Sequence, residues 1–184
     1  MMASHLLTPG QTVGPFFRYA MEFPDDNCLA MPGRPEAIRL HGGVYDGAGR
    51  PVPDALIELW QPDSAGHVMS QPGSLHRNGW TFTGWGRCAT DASGNYTFTT
   101  VAPGAVIPGR PPFFALTVFA RGLLDRLFTR AYLPGDGLET DPLLCDLTQE
   151  RRRTLFCVAE SDGYRFDIRL QGDDETTFLR FVDG

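Results

Sequence analysis

A chain of 184 residues with 16 basic and 22 acidic side chains, net charge -6 at neutral pH, is long enough to bury the core of one domain without staples. The acidic balance, broken only by the short run Arg151-Arg152-Arg153, argues against nucleic acid, and the apolar run from Phe113 to Ala120 is too short to span a bilayer. Met1 to Leu7 carries no export signal, so the cytoplasm is the expected location.

In chain order, Leu7 to Tyr19 comes first, where Pro9, Gly10, Gly14 and Pro15 oppose a regular helix or strand while Val13, Phe16 and Phe17 offer something to bury. This predicts an ordered N-terminal arm, continued by a Pro-rich connection, together residues 1–37. From Ile38 the pattern turns β. Ile38, Leu40, Gly42 and Val44 alternate with Arg39, His41, Gly43 and Tyr45; Asp46 to Gly49 turns the chain; and Ala55 to Gln61 reads as the return strand. Glu58 in that strand needs a partner or an opening to water. A long loop rich in Gly, Pro and Ser then runs to Trp80.

Trp85 to Gly104 reads as a hairpin-type element, with Asp91, Ser93 and Gly94 in the turn and Tyr96, Phe98 and Thr100 sharing one face of the strand after it. Strands are expected over Phe113 to Ala120 and from Arg126 to Leu133, and a short helix or turn over Asp141 to Glu150. Thr154 to Glu160, Tyr164 to Gln171 and Phe178 to Val182 read as closing strands. The pattern predicts an all-β chain, a sandwich of about eight strands over residues 38–184 behind an irregular arm. Cys28, Cys88, Cys145 and Cys157 form no C-x-x-C pair, and His5, His41, His67 and His76 show no ligand spacing.

Four stretches, LTPGQTVGPFF, ALIELWQPDSAG, GWGRCATDASGNYTFTTVAPG and FTRAYLPGD, stand in the order found in the intradiol ring-cleaving dioxygenases, which the chain resembles along nearly its whole length. The resemblance implies a transthyretin-like β-sandwich and a reaction in which O₂ opens the ring of 3,4-dihydroxybenzoate to 3-carboxy-cis,cis-muconate. Catalytic chains of this family hold Fe(III) with two tyrosines, whose hard phenolate oxygens suit the ferric ion, and two neutral histidines that complete the site. Aligned on the motifs, those four positions fall at Val68, Val106, Phe113 and Ala115, and the chain has no H-x-H and no tyrosine between Tyr45 and Tyr96. It therefore resembles the metal-free alpha subunit of a heteromeric member, its iron held by a homologous beta subunit, in a higher-order alpha-beta oligomer. Its own former metal site is expected to be filled and dry.

The resemblance also implies that this subunit completes the substrate pocket, with Thr12, Gly14 and Pro15 of the arm against the ring and Arg130 on the carboxylate. Taken alone, the arm residues read equally as a packing turn and Arg130 as a surface charge. Arg110 and Tyr132 are weaker candidates, with Tyr132 read as a packing residue and Glu58 as a structural hydrogen-bond partner. Two other readings stay open: a non-catalytic β-sandwich binding module, and a dioxygenase acting alone through unusual iron ligands.

Overall fold

The computed structural model describes residues 11–14, 16–69, 77 and 81–181. Strand β1 (Ala37–Tyr45) buries Leu40, Gly42 and Val44 at alternate positions, as the period of two requires. β2 (Leu56–Trp60), β3 (Trp85–Ala89), β4 (Asn95–Val101), β5 (Phe113–Phe119) and β6 (Leu127–Tyr132) follow. Short strands β7 (Val158–Glu160), β8 (Gly163–Arg165) and β9 (Ile168–Arg169) close the chain. One sheet runs β4-β1-β8-β7 with β9 also beside β1, and the other runs β3-β2-β5-β6. Leu40, Val44 and Phe98 of the first sheet meet Ile57, Leu59, Phe114 and Leu116 of the second in the main core. This is the expected β-sandwich, with nine strands among the described residues.

The stretch Trp85 to Gly104 is not a hairpin. β3 pairs β2 (Trp85 opposite Trp60) while β4 pairs β1 (Tyr96 opposite Gly42), so the turn between them carries the chain from one sheet to the other. The turn chemistry is as read: Asp91 Oδ1 accepts from the backbone N–H of Ser93 at 2.8 Å and of Asn95 at 2.9 Å, and Gly94 sits at φ 77°. A local signal for a reversal does not say which partner each strand will choose. The same correction applies to β2, which is not the return of β1: after the turn at Asp46 the chain crosses to the opposite sheet, where β2 lies between β3 and β5.

The arm is less irregular than its Pro and Gly content suggests, for a short helix α1 (Phe17–Met21) forms just beyond the Gly14-Pro15 pair. Two further short helices, α2 (Pro142–Cys145) and α3 (Gln149–Arg153), occupy the expected helical stretch; Asp141 caps the first by accepting from Leu143 N at 2.9 Å. Near the C-terminus the expected strand over 164–171 is split, because the carboxylate of Asp167 takes the Gly43 N–H at 2.9 Å where the ladder would otherwise continue. Of the strand expected over Phe178 to Val182, the described residues make a single bridge, Leu179 to Phe128, rather than a strand, and Val182 lies outside the described residues.

Candidate functional site

Residues opposite one another in an antiparallel ladder point to the same face. The registers of the second sheet therefore line up Trp85, Trp60, Ala115 and Arg130 as one row, and Arg87, Glu58, Thr117 and Phe128 as another, on the face turned away from the core. The arm covers the second row. Arg87 donates to the Met21 carbonyl and, at 3.1 Å, to Glu58, while its guanidinium lies 4.8 Å from the Trp85 ring centre. Glu22 accepts from Ala89 N at 3.0 Å, and the Phe17 ring packs 5.5 Å from that of Phe119. Glu58 has thus found its structural partner.

Beyond the arm the face stays open. Val106, Ile107, Arg110, Phe113, Arg130 and Asp141 line a groove of about 430 Å³ at the start of β5. Its best-held group is Arg130. The guanidinium stacks 4.2 Å from the Phe113 ring centre, donates to Tyr132 Oη at 3.0 Å and stands 3.7 Å from a carboxylate oxygen of Asp141. Arg110 donates to the Thr140 carbonyl on the groove's rim. Burial pushes the Tyr132 phenol up to about 12, against the pull of Arg130, so at neutral pH it is a protonated packing residue.

The positions that the motifs align with the family's metal ligands lie in and beside this region. Phe113 and Val106 line the groove, and Ala115 stands cross-strand from Arg130 on the same face. The loop carrying Val68 abuts the one carrying Val106: Gly104 N donates to Asp63 O at 2.8 Å, and a Cβ on Gly66 would stand 2.2 Å from Ala105 O. All four side chains are hydrocarbon, so this region does not fit a ferric ion, and among the described residues no group of His, Cys, Asp and Glu could hold one. The remnant is not filled, however. Val68 is 70% exposed and Val106 49%, both on loops outside the packed core.

The arm residues lie elsewhere. Thr12 Oγ1 accepts from Gly122 N at 2.7 Å in the turn after β5, and a Cβ on Gly14 would meet nothing within 4 Å, so no packing in this chain requires a glycine there. Pro15 falls outside the described residues. Arg130 does not join this group: it pairs opposite Ala115, and β5 runs about 13 Å from there to its end at Phe119, before the turn that carries Gly122. Its side chain leans the other way, over Phe113. One benzoate-sized ring cannot touch both. The arginine that adjoins the arm's anchor is Arg121, half exposed and ion-paired with Asp54. Its signal in the sequence was faint: a lone Arg directly before the Gly that breaks the Phe113 to Ala120 strand.

A dioxygenase family model matches residues 13–172 of the chain. The protocatechuate 3,4-dioxygenase alpha chain of Burkholderia cepacia is 37% identical over 94% of this chain and 96% of its own length. The beta chain of the same enzyme from that organism is also 37% identical, over 79% of this chain and 68% of its own length. Among solved structures, the dioxygenase domain of a dioxygenase carbohydrate-binding fusion from Streptomyces sp. SirexAA-E superposes with a TM-score of 0.57 at 26% identity, covering 90% of this chain and 98% of that one.

Proposed function

The chain belongs to the intradiol ring-cleavage dioxygenase family, as a homologue of both the alpha and the beta chains of protocatechuate 3,4-dioxygenase, and from that premise we propose that it is the alpha subunit of such an enzyme. Its partner is a homologous beta chain that holds Fe(III); together they open 3,4-dihydroxybenzoate with O₂ to 3-carboxy-cis,cis-muconate. What supports this reading most is the hydrocarbon side chain at each of the four positions that the motifs align with the family's ligands, Val68, Val106, Phe113 and Ala115, two of which, Val106 and Phe113, line the groove. The same observation disfavours a dioxygenase acting alone. The unpaired state of all four cysteines agrees with a reducing cytoplasm.

The chain's own share is positioning. Thr12 is anchored to the turn at Gly122, Gly14 leaves room beside it, and Phe16, Tyr19 and Phe23 stand exposed along the arm and its helix. Exposed aromatics of this kind suit a protein interface. The arm therefore offers a backbone and a hydroxyl to a ring held on the partner, and Arg121 is the cation of that corner available to the ring's carboxylate. Arg130, toward which the motifs point for that role, pairs opposite Ala115 and leans over Phe113, away from the turn that anchors Thr12.

Co-expression with the beta chain tests this. We expect one iron per alpha-beta pair, no iron in this chain purified alone, and an Arg121→Ala variant of the complex with a KM for 3,4-dihydroxybenzoate raised roughly tenfold at unchanged iron content. Stoichiometric iron in the chain alone, or a failure to associate, overturns the subunit reading; unchanged KM removes Arg121 from the pocket.

A further inference from the structure

We propose that the open groove over the former metal region is a binding site of its own, for an aromatic monocarboxylate that is bound there and not turned over. The argument is one of shape and charge. The groove's volume, about 430 Å³, is within the usual range for small-molecule sites of about 300–1,000 Å³. Val106, Ile107 and Phe113 give it an apolar wall, and Val106 and Ile107 are 49% and 59% exposed, apolar surface that a ring would cover.

At its inner end the charges do not balance: Arg110 and Arg130 face one carboxylate, Asp141, which is itself engaged in capping α2. One anionic charge completes the set. Arg130 is also held ready for it. Of its five N–H donors, one is used on Tyr132, and the stack on Phe113 together with Asp141 at 3.7 Å fixes the plane of the rest, so little side-chain freedom remains to be lost on binding. Hydroxyl groups on the ring would find no metal here, so the site should accept benzoate as readily as a catechol acid. The inference concerns this chain's own residues and does not require an iron-bearing subunit.

Equilibrium dialysis of radiolabelled benzoate against the full chain, in the assembly in which it purifies, is the test. We expect one site per chain that Arg130→Leu weakens tenfold or more and Arg130→Lys weakens less, with uncharged benzamide at least tenfold poorer than benzoate. Any benzoate bound at a partner's iron is identified because it survives Arg130→Leu. Val106→Asp, at an exposed position that the fold tolerates, should abolish the same site by like-charge repulsion and serves if the Arg130 variants fail to fold. Binding indifferent to Val106→Asp, equal binding of benzamide, or no site beyond those assigned to iron overturns the proposal. So does a partner chain that seals the groove and leaves benzoate excluded.

Discussion

Among the contacts that hold the arm across the sheet, the largely buried ion pair of Arg87 with Glu58 is the central one, and breaking it should loosen the arm. The Arg87 side chain is 9% exposed and that of Glu58 18%, and Arg87 also supplies the hydrogen bond to the Met21 carbonyl that ties α1 down. Replacing Arg87 by Met strands the Glu58 carboxylate under the arm and removes that tie. Breaking a buried pair from one side costs about 3–5 kcal/mol, and the residual exposure of Glu58 puts this case at the lower end, about 3 kcal/mol. At roughly 2–4 °C per kcal/mol for a chain of this size, the melting temperature should fall by roughly 6–12 °C. Glu58→Gln keeps an acceptor and should cost about 1–2 kcal/mol, and the double variant should cost less than the sum of the singles by about 2 kcal/mol. Thermal unfolding of the four proteins gives the coupling, and trypsin cleavage after Arg18, within α1, reports release of the arm. A coupling under about 0.5 kcal/mol, or unchanged cleavage in Arg87→Met, would refute the account of what holds the arm.

Two contrasting glycine substitutions separate fold from interface. On Gly42 a Cβ would lie 1.9 Å from the Phe166 carbonyl oxygen, backbone that cannot give way, so Gly42→Ala should cost about 3 kcal/mol or more in denaturant unfolding. Gly14→Ala, where the Cβ meets nothing within 4 Å, should leave stability within about 0.5 kcal/mol while raising the KM of the complex; equal damage to stability by both would refute the distinction. The third expectation is a pH dependence. Because burial holds Tyr132 protonated to about 12 against an unfolded value of about 10, its contribution is fully present below pH 10 and is lost as pH rises through 12, amounting to about 2–3 kcal/mol. Comparing the alkaline unfolding of Tyr132→Phe with that of the parent measures it, and identical slopes above pH 10 would remove it.

Strand positions were legible because a half-buried strand writes its burial into a period of two: β1, β4, β5 and β6 fall where the alternation puts them. Which strands pair was not legible. The turns at Asp46 and Asp91 look like hairpin turns by composition, yet the first folds back only as far as the Tyr45–Pro51 bridge before the chain crosses to the other sheet, and the second leads directly from one sheet to the other. What decides pairing is the fit of whole faces across the core, which no local window contains. Likewise the hydrocarbon character of Val68, Val106, Phe113 and Ala115 could be read from the sequence, whereas the company of Arg130 could not. The seven residues between Gly122 and Arg130 suggest nearness in the sequence, but Arg130 pairs opposite Ala115 toward the far end of β5 and leans further that way, over Phe113.

The open state of the former metal region follows from where it lies. The core of this sandwich is between the sheets, filled by Leu59, Phe114 and Leu116, and the ligand positions are on the opposite face and on the loops at its end. Exchanging polar ligands for Val, Phe and Ala there creates no internal cavity, so no packing penalty drives the space to close. What needs a reason is the order that remains. An arginine on a solvent-facing strand has no structural need for an aromatic platform, a tyrosine acceptor and a nearby carboxylate together, and fixing its side chain forfeits up to about 2 kcal/mol of rotamer entropy. Asp141 and Tyr132 have other work, one capping α2 and the other packed against Phe113 and Leu155 in the second, smaller core, so their contacts to Arg130 come at little extra cost. The guanidinium is thereby oriented in advance beside an apolar wall, which is the arrangement that an aryl carboxylate needs.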